Sequence, residues 1–244
     1  MAMNRKPWIC DKCGGASDRH YDHSCTGKPE DACHTDNVTW HRRRIFHGSN
    51  NDWLDKRWPI ELLAKKLDVI RLADKCVHIL CTKRPENFPE RFDAVLKHNE
   101  NNHGAVELHH WVLSWASGEY PPNIILLTSV ENQAMADKRI PQLLKIPAAC
   151  RGLLCEPLLG PIDFRLTPCT PNISEEEAQR MTEYQSCLEE IDWVIIGGES
   201  GPKARPCNVG WVRSLVEQGR AAGVATFVKQ FSGKKFGQQF PKGF

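Results

Sequence analysis

Six short apolar segments alternate with amphipathic stretches between residues 45 and 228, and this alternation restricts the fold more than any other feature. Each apolar segment has the length and composition of a buried strand. Repeating units of about thirty to forty-five residues are the size of βα units, which build a parallel sheet with right-handed crossovers. The predicted strands are Ile45 to Gly48, Val77 to Cys81, Asn123 to Thr128, Gly152 to Cys155, Trp193 to Ile196 and Ala225 to Val228.

Four of the intervening stretches carry apolar residues at the spacing of one helical face. They run from Pro59 to Leu72, Glu90 to Leu96, Ala134 to Leu144 and Trp211 to Ala222. Two further segments fit the alternation poorly and are predicted to be surface insertions. One contains a helical core from Val106 to Trp115, and the other spans Thr167 to Glu190, where Ser174 and Glu177 form a predicted capping box.

A chain of 244 residues is long enough for one barrel-sized domain with a small appendage, and two large domains are not expected. The first forty residues contain almost no aliphatic side chains, so they cannot form a hydrophobic core of their own. We therefore predict a cysteine- and histidine-rich segment over residues 1–40. Residues 41–244 are predicted to form a parallel α/β domain, an incomplete or modified (β/α) barrel.

Composition favours a cytoplasmic protein without a membrane partner. The N-terminus lacks the apolar core of a signal peptide, and no apolar run approaches the roughly 20 residues that span a bilayer. The chain has 11 cysteines, and disulfides are rare in the cytoplasm, so metal binding, catalysis or simple burial must account for them. A formal net charge of +2 gives no global attraction to nucleic acid but is compatible with a local basic patch.

The N-terminal segment is the candidate metal site. Cys10 and Cys13 form a C-x-x-C-G sequence, a turn that points two thiolates at one ion. Cys25 and Cys33 would complete a four-sulfur site that suits zinc, whose binding would order a segment without a core. An iron–sulfur cluster and the absence of any metal are the alternatives. Other candidate ligands in the segment are His20, His23 and His34.

Charged residues follow the predicted strands at the point where each strand ends. In a parallel sheet or barrel these positions share one edge, where ligands bind. Opposite charges in a partly dry cleft alter each other's pKa and can orient an anionic or zwitterionic ligand. The alternative is a set of ion pairs that only stabilise the scaffold. The charged residues at these ends include Asp52, Lys83, Arg84, Glu131, Glu156, Glu199, Arg205 and Lys229.

The fifth strand runs into the sequence GGESG, with Gly197, Gly198 and Ser200 around Glu199. Glycines at such a turn either let the backbone approach a ligand closely or only permit a sharp turn. The sequence is neither a P-loop nor a dinucleotide-binding fingerprint, so it does not by itself indicate a phosphate site.

Several longer segments, taken in order, resemble a phage-associated family of proteins named after phage gene products thirty-seven and sixty-eight. The resemblance covers roughly residues 44–231. This family resembles radical S-adenosylmethionine enzymes, which have a partial or complete (β/α) barrel and an N-terminal cysteine cluster for an iron–sulfur centre. The segments are LCTKRPENF, NIILLTSVENQAMADKRIPQLLKIPAACRGLLCEPLLGPIDF, DWVIIGGESGPKARPCNVGWVRSL and GVATFVKQF.

The resemblance implies that strand-end residues face S-adenosylmethionine, a small-molecule cofactor. It makes Glu199, Lys83 and Lys229 the candidate catalytic residues. The chain would then act in the host cytoplasm if a phage encodes it, on an unidentified substrate for which nucleic acid and nucleotides are candidates. The candidate cofactor-binding residues are Glu131, Glu156, Gly197, Gly198, Ser200 and Arg205.

The sequence departs from the family at the cysteine cluster, because it contains no C-x-x-x-C-x-x-C spacing. Two functions therefore stay open. One is an enzyme of the radical S-adenosylmethionine type. The other is a zinc-containing binding or accessory protein whose barrel has lost the iron–sulfur cluster.

Overall fold

The computed structural model describes residues 8–10, 16–17, 40–47, 51–100, 103–167 and 187–231. Within them the chain forms two sheets. The first is a small antiparallel sheet of β1 (Trp8–Cys10), β2 (Ala16–Ser17) and β3 (Trp40–Arg42), in the order β2-β1-β3. The polar composition of the N-terminal segment did not predict this sheet.

The second sheet has six parallel strands, and each strand pairs with the next one along the chain. This sequential order is that of a (β/α) barrel. The sheet curls into a half-barrel, so that residues of both outer strands line the same cavity. Its strands are β4 (Arg44–His47), β5 (Val77–Thr82), β6 (Ile124–Ser129), β7 (Cys150–Cys155), β8 (Trp193–Gly197) and β9 (Ala225–Gln230).

Among the residues that the structure describes, five α-helices connect or flank the parallel strands. They are α1 (Ile60–Leu72), α2 (Phe88–Asn99), α3 (Val106–Ala116), α4 (Gln133–Leu144) and α5 (Val209–Ala221). Short 3₁₀ turns occur at Pro85–Asn87, His103–Ala105 and Cys187–Glu190. No helix among the described residues is long and apolar enough to cross a membrane.

Local sequence explains where two of these helices begin. The side chain of Asn132 accepts a hydrogen bond from Met135 N at the start of α4, and Asn208 accepts one from Gly210 N at the start of α5. Both are typical N-cap contacts that satisfy free backbone donors. Since β6 ends at Ser129, the cap at Asn132 fixes where the chain turns back from that strand, whereas a longer loop separates β8 from Asn208.

Alternate residues of the strands point to opposite faces of the sheet, and each face has its own apolar cluster. Leu80, Leu126 and Val194 belong to the large core that also contains the buried residues of the helices. Ile79, Leu127 and Ile195 form a smaller cluster with the partly buried Leu154 and Phe227. The helices therefore cover one face, and the smaller cluster lies on the concave face.

The predicted alternation of strands and helices is confirmed for all six strands and for the five helices, with shifts of a few residues at their ends. The predicted capping box at Ser174 and Glu177 lies outside the described residues, as do most of the predicted insertion from Thr167 to Glu190 and the candidate ligands Cys13, Cys25 and Cys33.

Candidate functional site

A cavity of about 440 Å³ opens at the carboxyl ends of the parallel strands. Apolar atoms of Phe46 on β4 and Leu154 on β7 form part of its lining, and charged side chains complete it. It is lined by Phe46, Asn51, Asp52, Cys81, Thr82, Lys83, Arg84, Ser129, Leu154, Glu156 and Lys229. We call the surface that carries this cavity and the loops after the strands the rim.

Glu156, the residue after β7, is held by two residues of β9. Lys229 Nζ lies 3.1 and 3.0 Å from its two carboxylate oxygens, and Gln230 Nε2 donates to Oε1 at 3.0 Å. A Cβ atom at Gly197 would lie 3.0 Å from Glu156 Cδ, which is closer than normal packing allows. The glycine at the end of β8 therefore makes room for this carboxylate.

A second ion pair joins the loops after β5 and β6. Glu131 accepts from Lys83 Nζ at 2.8 Å and from Arg139 at 2.7 Å, and only 10% of its side chain is exposed. Burial alone would raise the pKa of Glu131, but the hydrogen bond from Lys83 and the charges of Arg139 and Lys83 lower it below its usual value. Glu131 is thus a buried anion held between two cations.

Asp52 connects the loop after β4 to the loop after β5. Its Oδ1 accepts from Thr82 Oγ1 at 2.7 Å, and its Oδ2 accepts from Lys83 N at 2.8 Å and from Arg84 at 3.1 Å. Leu54 N also donates to Oδ1 at 3.0 Å. With four donors on one carboxylate, Asp52 fixes one wall of the cavity rather than offering a free acceptor.

Glu199 lies two residues beyond β8 and forms a fork with Arg205. The Arg205 guanidinium donates to both carboxylate oxygens at 2.8 and 3.0 Å, and Arg205 N donates to Oε2 at 2.9 Å. The side-chain and backbone hydrogen bonds from Arg205 lower the pKa of Glu199 to about 2. Glu199 is therefore fully ionised at neutral pH and does not act there as a general acid.

Cys81 is the thiol that lines the cavity, with its Sγ 3.6 Å from Ser129 Oγ. Burial raises the pKa of Cys81 to about 11, and the hydrogen bond with Ser129 offsets this only in part. Burial also raises the pKa of Cys155, which is fully buried. Neither thiol is activated, because an activated cysteine has a lowered pKa.

The sequence matches the model of a family of proteins of unknown function, DUF5131, over residues 12–240. The chain belongs to this family. No curated protein and no solved structure matches it.

The structure brings the predicted site residues together in three groups rather than one cluster. Lys83, Glu156 and Lys229 share the cavity. Glu131 pairs with Lys83 but does not itself line the cavity. Glu199 pairs with Arg205, and neither residue lines the cavity. Gly197 lies against Glu156, the residue after β7. Gly198 contacts β9, because its N donates to Gln230 O and its O accepts from Gln230 Nε2. Ser200 is exposed.

The described residues do not test the predicted metal ligands. The backbone of Cys10 ends β1, and its three partner cysteines lie outside those residues. Within the part of the chain that the structure describes, no group of three or more His, Cys, Asp or Glu side chains is arranged to hold a metal ion.

Four residues of the site were missed or not singled out by sequence reasoning. Arg139 pairs with Glu131 from the second turn of α4, and no motif marks it. Phe46, Ser129 and Leu154 line the cavity from the strands themselves. The period-2 alternation of each strand could have placed these three on the concave face, had the register between strands been known.

Proposed function

We propose that this protein is an enzyme that binds S-adenosylmethionine in the cavity and resembles radical S-adenosylmethionine enzymes. The observation that carries the proposal is the cavity itself: ammonium groups and carboxylates line it together with apolar atoms of Phe46 and Leu154. S-adenosylmethionine combines a zwitterionic amino acid with a planar adenine. A pocket with both signs of charge and an apolar wall suits such a ligand.

The residues of the cavity divide into two roles in this proposal. Lys229 donates to the carboxylate of the ligand, and Glu156 accepts from its ammonium group. Leu154 provides apolar contact for the adenine. The pairing of Glu156 with Lys229 and Gln230 sets its position before a ligand arrives, which reduces the cost of ordering the site on binding.

The candidate cluster ligands Cys13, Cys25 and Cys33 lie outside the described residues. Cysteine thiolates hold iron–sulfur clusters, so we assign no reaction step to a cluster. When bound, S-adenosylmethionine would supply a sulfonium centre, while Lys229 and Glu156 would orient its amino acid group.

Calorimetric titration of the full chain with S-adenosylmethionine tests the proposal. We expect saturable binding, weakened at least about tenfold by K229Q, since one charge-assisted hydrogen bond contributes about 1.5–3 kcal/mol. K97Q on α2 is the matched control, because it removes the same charge far from the cavity. Absence of binding to the anaerobically purified protein would refute the proposal. Iron analysis and a 5′-deoxyadenosine assay decide whether the chemistry is of the radical type.

A zinc-containing accessory protein is the second candidate, and one backbone observation favours it. β1 and β2 pair in antiparallel register, with Ile9 opposite Ala16. Cys10 ends β1, and Cys13 lies between the two strands in sequence, outside the described residues. Short hairpins are a common support for paired cysteine ligands in structural zinc sites. Quantifying zinc in the wild type and in C10S tests this candidate. One equivalent of zinc that is lost in C10S, without S-adenosylmethionine binding by the wild type, would favour it.

A further inference from the structure

Five ion pairs of the rim share an asymmetry in exposure. In each of these five pairs the carboxylate is more buried than the cation. Side-chain exposure of cation and carboxylate is 50% and 10% for Lys83–Glu131, 37% and 13% for Arg84–Asp52, 37% and 15% for Arg84–Asp55, 60% and 30% for Arg205–Glu199, and 52% and 15% for Lys229–Glu156.

Ion pairs among the helices do not share this asymmetry. Lys97 and Asp93 on α2 are about equally exposed, at 68% and 60%. Arg71 on α1 is 20% exposed, whereas its partners Asp68 and Glu107 are 38% and 81% exposed. The outward position of the cation is therefore common at the rim, although two further pairs there, Lys56–Glu90 at 55% and 64% and Arg139–Glu131 at 12% and 10%, do not share it.

An approaching ligand meets the cations of the rim before it meets the carboxylates. The outward position of the cations does not appear in the charge totals, because the charges within each pair cancel and the net charge of the chain is only +2. Screening by water and salt weakens the effect of a charge with distance, and the outermost charges therefore dominate the field at the surface. The rim presents a cationic surface to its surroundings.

We propose that the substrate of this protein is a nucleic acid strand that lies across the rim with its phosphates on Lys83, Arg84 and Arg205. This inference rests on the proposed function, because it names the substrate class for the same rim. Two features favour a strand over a single small anion or an acidic peptide, and they concern the spread of the cations and the aromatic ring beside them.

These cations lie at two strand ends. Lys83 and Arg84 follow β5, and Arg205 follows β8. Two strands separate β5 from β8 in the sheet, and at about 4.8 Å per strand the span is at most about 14 Å. One phosphate cannot contact both ends of that span, whereas successive phosphates of a strand can.

The second feature is Phe46, whose ring is 47% exposed in the cavity that Lys83 and Arg84 also line. Surfaces that bind single-stranded nucleic acid combine cations for the backbone with aromatic rings on which bases stack. An acidic peptide has no planar base to use such a ring. The pairing of an exposed aromatic side chain with outward cations thus points to nucleic acid.

Fluorescence anisotropy with labelled 20-nucleotide single-stranded DNA, single-stranded RNA and duplex DNA tests the proposal. The rim variant is K83Q/R84Q/R205Q. The matched control is K75Q/K97Q/K145Q, which removes the same charge from exposed lysines that lie at or beyond the C-terminal ends of α1, α2 and α4, at the opposite edge of the sheet. We expect the rim variant to lose at least about tenfold in affinity at low salt, while the control binds like the wild type.

Salt dependence provides a second readout. For single strands the slope of log K against log salt is about −0.7 for each neutralised phosphate, so the rim variant should have a slope smaller in magnitude by roughly 2. F46L is an additional variant with unchanged charge, and we expect it to weaken binding to single strands more than to the duplex.

Three results would overturn the proposal: no binding of any of these nucleic acids at low salt, equal losses in the rim variant and the control, or tighter binding of polyglutamate than of nucleic acid. Melting temperatures of all variants separate a lost contact from a lost fold. Failure of S-adenosylmethionine binding with intact, rim-dependent nucleic acid binding would refute the proposed cofactor alone.

Discussion

Nε2 of His47 lies 2.8 Å from Nδ1 of His78, and Nε2 of His78 lies 2.9 Å from the carbonyl oxygen of Ala73. Since a carbonyl only accepts, His78 Nε2 carries a proton. In the neutral form of His78, Nδ1 therefore accepts, and His47 Nε2 donates to it. Burial, together with the charges of His78 and Lys66, lowers the pKa of His47 to about 4, and burial also lowers the pKa of His78.

This pair predicts an acid-sensitive stability. In the unfolded chain His47 binds a proton near pH 6.5, whereas in the folded chain it binds one only near pH 4. The neutral pair therefore contributes fully to the free energy of unfolding above pH 6.5, and this contribution is lost as the pH falls from 6.5 towards 4. The shift gives an upper limit of about 3 kcal/mol, and partial exposure reduces the expected loss to about 1–2 kcal/mol. Urea unfolding at pH 7 and pH 5 measures it.

His47→Asn should reduce this pH dependence, because it removes the titrating ring next to His78. The control is His98→Asn, which changes an exposed histidine on α2 and should leave the pH dependence as in the wild type. An H47N variant that loses as much stability between pH 7 and pH 5 as the wild type would contradict the explanation.

Gly197→Ala should displace Glu156 and weaken ligand binding at the rim. The new Cβ would lie 3.0 Å from Glu156 Cδ and 3.1 Å from its Cγ, so one of the two groups must move. Overpacking of this kind costs about 1–3 kcal/mol. Chemical denaturation of G197A, E156A and the double variant forms a mutant cycle. If the two positions are in contact, G197A should lower the free energy of unfolding less in the E156A background than in the wild type. Additive losses would contradict this contact.

Glu131→Gln should destabilise the protein clearly. The change leaves Arg139, only 12% exposed, without its anionic partner, and removing one member of a buried pair costs about 3–5 kcal/mol. Because Lys83 remains accessible to water, we expect a loss at the lower end of that range. Urea denaturation at pH 7 measures the loss.

Glu199→Gln is the matched comparison, since it makes the same chemical change in an exposed pair with Arg205. Its melting temperature should stay close to that of the wild type, because exposed ion pairs contribute little to stability. Similar destabilisation by both variants would show that burial does not distinguish the two carboxylates.

Cys81 should react slowly with iodoacetamide at pH 7.5 even though it lines the cavity. A thiol with a pKa of about 11 has a thiolate fraction of about one in several thousand at that pH, compared with about one in ten for an ordinary thiol. Peptide-resolved mass spectrometry measures the rate for each cysteine, and urea-unfolded protein provides the reference. A rate at Cys81 equal to the unfolded value would show that the thiolate is stabilised in the fold.

Much of the fold was predictable because strands and helices leave different periods in the sequence. The apolar run at Trp193 to Ile196 and the helical spacing of Leu63, Leu67 and Ile70 each specify one element without reference to the rest of the chain. The antiparallel pairing of β1 with β3 has no such signal. It joins segments thirty residues apart in sequence, in a region without an apolar pattern.

The sequence predicted where the site residues lie, but it did not predict which residues they pair with. Parallel strands place their ends at one edge, so the position of Lys83, Glu156 and Lys229 at the rim followed from the predicted strands. Which carboxylate each lysine meets depends on side-chain direction across several strands, and the sequence does not contain that information. The pairing of Glu131 with Arg139 also depends on how α4 packs beside β6, and this contact leaves Glu131 beneath Lys83 rather than in the cavity.

From β5 to β9, every strand of the half-barrel pairs with the strand that immediately precedes it in the chain. Each of these pairings spans one βα unit, so it closes a shorter loop, at a lower cost in entropy, than a pairing between strands that are far apart in the chain. During synthesis each new βα unit leaves the ribosome after its pairing edge has already been made. The half-barrel is thus suited to growing one unit at a time from β4 to β9, without waiting for the last residues of the chain.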